Sequence, residues 1–194
     1  MPGMVVMCPF IFCPLAGISI VNDLNSGFLS KLLVTQVDRG AILLGRVLTD
    51  SLMVVFASAL VIVTGLALGV SFADGLPGVL LILATAGGFG LVWAGIFLAI
   101  GMLTRSAESI SAFSGGTSFL LLFISSAVFP TSLMPEWAQT VSNWNPVSYL
   151  ADSMRSAIQG PYDWHAFEIA WASIGVLALV AFAATLYEFR RTVR

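Results

Sequence analysis

The side chains able to do chemistry are few in this chain. Its 194 residues include 8 Lys or Arg, 10 Asp or Glu and one His. Two cysteines, Cys8 and Cys13, lie in an apolar stretch, and His165 follows Trp164 at the start of another. A structural zinc site needs about four clustered ligands, so this inventory argues against a metal. We predict that the cysteines pack in the interior, that His165 contacts lipid headgroups, and that the chain uses no cofactor.

Motifs for phosphoryl or covalent chemistry are also missing from the sequence. No G-x-x-x-x-G-K-[ST] loop occurs, since the single lysine, Lys31, follows Ser30. The chain therefore cannot hold ATP phosphates with a P-loop. Neither H-E-x-x-H nor G-x-S-x-G occurs. The net charge of −2 and the lack of a basic run before the last residues argue against nucleic acid as a partner. We predict no catalytic residues and a chain that is not an enzyme.

The composition is that of a membrane protein. Hydrophobic residues make up 58% of the chain and charged residues 9%, whereas a soluble domain carries about 25% charged residues. A helix needs about 20 apolar residues to cross the hydrocarbon core. The charge-free runs therefore predict an all-α, polytopic protein with a single transmembrane domain over residues 1–194. Its five predicted spans lie at about 3–22, 49–71, 78–103, 109–131 and 166–187.

Lysine and arginine give the orientation of these spans. With the C-terminus in the cytoplasm, the inner residues are Lys31, Arg39, Arg46, Arg105, Arg190, Arg191 and Arg194. Only Arg155 then lies outside, and the positive-inside rule favours this arrangement. On the outer side an aromatic belt is predicted from Trp137, Trp144, Trp164 and Trp171. The sequence thus predicts a multi-pass protein of the plasma (inner) membrane with a cytoplasmic C-terminus.

The first predicted span begins almost at the first residue and contains Pro9 and Pro14. It has neither the positive start nor the cleavage site of a signal peptide. We interpret the chain as a fragment or a late-start gene product, whose upstream residues supply an earlier span. The alternative is an ordinary first helix with a proline kink.

A cytoplasmic loop over residues 23–48 follows this span. Its apolar residues at helical spacing are Phe28, Leu29, Leu32 and Leu33. Ser30 and Lys31 lie between them, Ser26-Gly27 opens the short helix, and Asp38-Arg39-Gly40 ends it. Two alternatives remain open: an amphipathic helix that lies in the headgroups, or a docking helix for a cytoplasmic partner.

The outer segment, residues 130–163, carries the signals of two short helices. Pro135 suits a first helical position with Glu136 in the first turn. Asn145-Pro146 forms an N-cap and first-turn proline, and Gly160-Pro161 ends the second helix. One side of that helix is apolar: Val147, Leu150, Ala151, Met154 and Ile158. The other side carries Ser148, Asp152, Arg155 and Gln159, and we expect Asp152 to pair with Arg155. Neither helix can span the bilayer, so we predict a re-entrant hairpin.

Small residues crowd the third predicted span. Ala84 with Gly88, and Ala86 with Gly90 and Ala94, have small-xxx-small spacing; Gly87, Gly95 and Gly101 add to them. Such residues let helix backbones approach closely. The sequence leaves open whether they pack within one subunit or between two.

Two runs of this sequence resemble type-2 ABC transporter permeases. The segment from Asp23 to Arg46 is similar to their cytoplasmic loop. A later set of residues resembles their outer re-entrant hairpin: Phe129-Pro130, Met134-Pro135-Glu136-Trp137 and Asn145-Pro146-Val-Ser-Tyr149-Leu-Ala-Asp152-Ser-Met-Arg155. The chain most resembles the daunorubicin/doxorubicin-exporter-like permeases. Family members have an N-terminal amphipathic helix and six spans, so the resemblance implies that this chain lacks that helix and the first span.

The resemblance implies a permease subunit of an ABC exporter. The expected partners are a separate ABC ATPase subunit, a second permease copy or related chain, and membrane lipid. The expected substrate is hydrophobic or lipid-like: a drug or antibiotic, a lipid, or a glycan precursor. The coupling surface on the loop 28–46 would be Phe28, Leu29, Lys31, Leu32, Leu33 and Arg39. The outer gate in the hairpin 130–160 would be Pro135, Trp137, Asn145, Pro146, Tyr149, Asp152 and Arg155.

Two other functions remain open at this point. The first is a non-transporting membrane subunit or truncated permease fragment. The second is a membrane-embedded enzyme, which would need polar side chains at one depth in the bilayer. Only scattered hydroxyls fit that need: Thr64, Thr85, Ser111, Ser114 and Thr117.

Overall fold

A computed structural model of the chain describes residues 2–28, 39–70, 75–128, 134–160 and 163–192. Within these ranges every regular element is an α-helix, in agreement with the predicted all-α class. The helices given in full by the described residues are α1 Pro2–Phe12, α2 Pro14–Asn25, α3 Arg39–Ala67, α4 Leu76–Thr104, α5 Ala107–Phe123, α6 Glu136–Ser142, α7 Pro146–Gln159 and α8 Trp164–Thr192.

The apolar start of the chain forms one long helical rod with a break at Cys13. Pro14 occupies the first position of α2, where its missing N–H costs no helical hydrogen bond. Pro9 lies inside α1. Both cysteines are free and buried, as predicted, and the Cys13 thiol lies 3.5 Å from the carbonyl oxygen of Gly90 on α4. Cys13 keeps helical backbone angles (φ −67°, ψ −28°), so α1 and α2 continue as one apolar stretch of 24 residues.

Helix α4 lies at the centre and contacts α1, α2, α3, α5, α7 and α8. In the described chain, three helical rods run in one direction and two in the other. Contacts between residues on different helices give these directions. The parallel pairs are Cys13 with Gly90, Gly17 with Phe97, Trp171 with Gly88, and Thr185 with Gly95. The antiparallel pairs are Val54 with Gly90, Leu43 with Leu98, Ile110 with Gly17, and Ala127 with Gly3. The α1–α2 rod, α4 and α8 are thus parallel, and α3 and α5 run against them.

Glycines of α4 pack against other helices of the same chain. Gly90 faces Val54 of α3, and Gly88 faces Trp171 of α8. Gly101 faces the backbone of Gly17, where a Cβ atom would lie 2.7 Å from the carbonyl oxygen. Of the two alternatives left by the sequence, packing within one subunit accounts for these positions.

Four helical stretches of the described chain are long and apolar enough to cross a bilayer. They are Pro2–Asn25, Gly40–Ala67, Leu76–Thr104 and Trp164–Ala183. They correspond to the first, second, third and fifth predicted spans. The fourth, predicted over 109–131, is helical only to Phe123 and ends in turns. With 17 residues, α5 is about 26 Å long, shorter than the hydrocarbon core of about 30 Å. The five-span count stays a prediction.

Candidate functional site

The alternating helices separate two groups of polar residues. One end of the bundle holds the end of α2, the start of α3 and the α4–α5 turn, with Asp23, Arg46, Arg105 and Glu108. The opposite end holds the start of α8 and the helices α6 and α7. The side chains of Trp137, Trp144 and Trp164 are 65–85% exposed there, as an aromatic belt requires. We call the first the loop end and the second the hairpin end.

At the loop end, the predicted coupling surface is only partly described. Phe28 follows Gly27, whose φ is +69°, and its side chain is 52% exposed. Arg39 is the first residue of α3. Leu29, Lys31, Leu32 and Leu33 lie outside the described residues, as does the side chain of Arg39. Their role stays a prediction.

The structure adds an ion pair at the base of this loop. Arg46 of α3 donates one hydrogen bond to Oδ2 of Asp23 and another to Oγ of Ser19, both on α2. These contacts join the last turns of α2 to the first turns of α3, on either side of residues 26–38. Sequence reasoning did not pair these residues. A usable signal was that opposite charges, Asp23 and Arg46, begin and end the loop motif.

At the hairpin end, the side chain of Asn145 makes two hydrogen bonds. Its Oδ1 accepts from the N–H of Val147, 3.0 Å away, which confirms the predicted N-cap of α7. Its Nδ2 donates to the carbonyl oxygen of Leu121 near the end of α5, 2.8 Å away. Asn145 is 5% exposed. The side chain therefore fixes the start of α7 to α5.

The start of the hairpin differs slightly from the prediction. Pro135 is the N-cap of α6 rather than its first helical residue, and its carbonyl oxygen accepts from Ala138 and Gln139. Glu136 is in the first turn, as predicted. Pro146 occupies the first position of α7, and the Tyr149 hydroxyl donates to the carbonyl oxygen of Asn143 in the α6–α7 turn.

A second polar link joins α7 to the turn after α5. The Ser126 hydroxyl donates to Oδ1 of Asp152 at 2.8 Å, and Arg155 donates to the Ser126 carbonyl oxygen at 2.6 Å. Arg155 also bonds Asp152 at 3.1 Å, which confirms the predicted pair. The Ser126 N–H lies 3.3 Å from the hydroxyl of Ser148.

The predicted faces of α7 need one correction. Val147, Leu150, Ala151 and Met154 are at most 1% exposed and Ile158 is partly buried against the same core, which confirms the apolar stripe. Ser148, predicted on the side opposite the apolar stripe, is buried like the stripe itself, at 5% exposed. Its hydroxyl can be buried because it also lies 2.9 Å from that of Ser142. Helix α7 packs against α1, α4 and α8, and its re-entrance into the bilayer stays a prediction.

An apolar cleft of about 340 Å³ opens between α3 and α8, with α4 as its floor. Its lining residues are Leu43, Leu44, Val47, Leu91, Val92, Gly95, Gly175, Ala178, Leu179, Ala181, Phe182 and Thr185. The Thr185 hydroxyl lies 2.9 Å from the Gly95 carbonyl oxygen and 2.7 Å from that of Ala181, so it is already satisfied. The cleft therefore suits an apolar group.

Nothing in the described ranges forms a metal cluster of three or more His, Cys, Asp or Glu side chains. His165 is exposed at the start of α8. Its backbone N–H donates to Oδ1 of Asp163 at 3.1 Å. What the two ends offer is a set of links between helices, which can hold or release helix packing.

The sequence matches a known family over nearly its whole length. The family description is ABC-2 family transporter protein, and the match covers residues 1–187. The daunorubicin resistance ABC transporter permease protein DrrB1 of Streptomyces coeruleorubidus is 28% identical over 184 residues, 93% of this chain and 64% of that protein. The probable doxorubicin resistance ABC transporter permease protein DrrC of Mycobacterium tuberculosis is 25% identical over 145 residues, 74% of this chain and 52% of that protein. The chain thus spans between about half and two thirds of these relatives.

Proposed function

Because this chain belongs to the ABC-2 family of transporter proteins, we propose that it is the membrane-spanning permease subunit of an ABC exporter. A separate ATPase subunit would bind at the loop end and supply the energy. Since the relatives carry names of daunorubicin and doxorubicin resistance permeases, we propose a hydrophobic or lipid-like substrate. The apolar cleft between α3 and α8 supports that choice of substrate class.

One observation carries this proposal: the helix directions alternate, so the loop and the hairpin lie at opposite ends. A transporter must carry a movement from its ATPase on one side of the membrane to a gate on the other side. The described helices α1–α2, α3, α4, α5 and α8 connect the two ends continuously. A second permease copy or related chain would complete the pathway, with lipid around both.

The role of Phe28 gives a direct test of coupling. Its exposed ring can fill a groove on an ATPase, so we expect Phe28→Ala to reduce co-purification of the ATPase about tenfold. A tenfold loss corresponds to about 1.4 kcal/mol of binding free energy. Leu32→Ala should act in the same way, and Lys31→Ala should do less because charges at a rim affect association more than affinity. The measurement is recovery of the ATPase with tagged permease, at matched membrane levels.

The matched control for Phe28 is Phe56→Ala. Phe56 is 68% exposed in the middle of α3, within a stretch long and apolar enough to cross a membrane, and its loss should leave ATPase recovery unchanged. Full recovery with both Phe28→Ala and Leu32→Ala would refute the docking role and favour a helix that lies in the headgroups.

Transport itself requires the reconstituted pair. We expect the purified chain to hydrolyse no ATP alone, since it lacks a P-loop. With its ATPase in vesicles, it should move doxorubicin, followed by its own fluorescence, only when ATP is present. Turnover by the chain alone, above that of a mock purification, would contradict the proposal.

Orientation can be tested with two exposed glutamates at opposite ends. The positive-inside rule puts the loop end in the cytoplasm and the hairpin end outside. A membrane-impermeant maleimide added to intact cells should therefore label Glu136→Cys and leave Glu108→Cys unlabelled. Both side chains are exposed in the first turn of a helix, which makes them a matched pair. The reverse labelling would overturn the proposed orientation.

A further inference from the structure

Arg46 has two carboxylates within reach, and it contacts one of them. The contact is with Asp23 on α2, together with the hydroxyl of Ser19. The second carboxylate is Asp50, four residues further along α3 and therefore on the same helix face. One helical turn separates Arg46 from Asp50, a rise of about 6 Å. A long guanidinium side chain can turn from one to the other without any change in α3.

Asp50 itself is incompletely satisfied. Its Oδ2 atom is shielded from solvent, and among the described residues it has no hydrogen-bond partner. A buried carboxylate oxygen without a partner is costly, so it is rarely kept without a reason. An ionisable side chain inside a membrane helix is by default a functional residue whose partner must be found. The nearest cationic side chain along α3 is Arg46, which in this structure is bonded to α2.

The position of this group connects it to the loop. Asp23 lies three residues before residues 26–38 and Arg46 lies two turns into α3 after them, and their bond draws α2 onto α3. The two helices otherwise meet mainly through a small apolar cluster that they share with α4: Ile20, Leu43, Leu98 and Met102. Packing between α2 and α3 is slight beyond it. The ion pair is therefore the main lateral connection between these helices.

We propose that Arg46 is a two-position residue that couples the loop to the bundle. In the position seen here it joins α3 to α2 through Asp23 and Ser19. In the second position Arg46 leaves Asp23 and pairs with Asp50, and α2 separates from α3 at the loop end. The inference rests on the proposed permease function for its meaning, but the two positions of Arg46 are a property of this chain alone.

Spin-label distances test the two positions without an ATPase or a substrate. Labels are placed on Asn25→Cys at the end of α2 and Ala41→Cys at the start of α3, which are both exposed. The native Cys8 and Cys13 are buried and should stay unlabelled. Distance distributions are then measured by pulsed electron resonance in lipid nanodiscs for the parent and four variants.

The two carboxylate variants are expected to change the α2–α3 distance in opposite directions. Asp23→Asn should shift most of the population to a longer α2–α3 distance, because Arg46 then pairs with Asp50. Asp50→Asn should leave a single short distance, because only Asp23 remains. The control is Glu108→Gln, an exposed carboxylate at the same end, which should reproduce the parent distribution.

A purely structural role for the ion pair predicts different distance distributions. If Arg46 only holds the fold together, Asp23→Asn broadens the distance without a second maximum, and adding Asp50→Asn changes nothing further. If it switches, Asp23→Asn gives a distinct second maximum, and the double variant replaces that maximum with a broad distribution because Arg46 then has neither carboxylate. Distributions for Asp23→Asn that match the parent would overturn the proposal.

A transport measurement separates this inference from the proposed function. In vesicles with the ATPase, Asp50→Asn should still bind the ATPase but lose doxorubicin transport about fivefold or more, the usual size of a coupling effect. If the parent itself transports nothing, the permease proposal fails while the distance result still stands. If the parent transports and Asp50→Asn equals it, the switch is refuted and the permease function is kept.

Discussion

Replacing Gly17 with alanine is expected to destabilise the folded chain severely. A Cβ atom at this position would lie 2.5 Å from the carbonyl oxygen of Phe97, a backbone atom of α4. The same contact is tight from the other side, because a Cβ on Gly101 would lie 2.7 Å from the carbonyl oxygen of Gly17. A backbone cannot rotate away as a side chain can, so α2 and α4 must separate. Overpacking of this kind costs about 1–3 kcal/mol or more.

The measurement is thermal unfolding in detergent, followed by tryptophan fluorescence, for Gly17→Ala and Gly101→Ala. The control is Gly116→Ala in α5, where nothing lies within 4 Å of the added Cβ. Alanine is the better helix former by about 0.5–1 kcal/mol, so the control should be unchanged or more stable. Equal melting temperatures for Gly17→Ala and Gly116→Ala would show that α2 and α4 do not pack this closely.

These glycines illustrate what the sequence could predict about the fold. The small residues of α4 predicted close helix packing because their spacing puts them on shared faces. Their partners could not be predicted, since Gly17 and Val54 come from other helices far away in the sequence. The choice between packing within a subunit and packing between subunits needed the three-dimensional structure.

Local signals were predicted well, and contacts between helices were not. The Asn145 cap and the Asp152–Arg155 pair both depend on residues two or three apart, where helix geometry fixes the distance. The family, predicted from the loop and hairpin motifs, is confirmed by the match over residues 1–187. The bond between Ser126 and Asp152 and that between Arg46 and Asp23 join segments more than 20 residues apart in the sequence, and no local spacing encodes them.

The end of the fourth predicted span also depends on a contact between segments far apart in the sequence. An uncharged run extends from Ser109 to Pro135, so composition allowed a helix as far as residue 131. The structure ends α5 at Phe123 and buries Ser125 and Ser126 in the turns that follow. These hydroxyls find partners, Ser125 on the Leu122 carbonyl and Ser126 on α7. Lack of charge is therefore insufficient to extend a helix when a polar contact ends it.

Asn145 is the position where loss of one side chain should most affect the hairpin. Asn145→Ala removes the N-cap of α7, usually worth about 1 kcal/mol. It also removes the donor to the half-buried Leu121 carbonyl, and a shielded carbonyl left without a partner costs up to about 1–3 kcal/mol. We therefore expect the hairpin to open locally while the long helices keep their packing. The measurement is hydrogen–deuterium exchange over residues 134–160, which should become at least tenfold faster.

The control for this change is Asn143→Ala, only two residues earlier. Its side chain is exposed, and the contact it offers to Tyr149 comes from its backbone carbonyl, which alanine keeps. Exchange over 134–160 should therefore stay at the parent rate. If the hairpin is an outer gate, Asn145→Ala should also reduce doxorubicin transport in vesicles while ATPase co-purification is unchanged, because the lesion lies at the end of the bundle away from the loop. Faster exchange with normal transport would mean that the hairpin is structural and the gate lies elsewhere. Unchanged exchange would mean that the bond between Asn145 and Leu121 does not hold α7 in place.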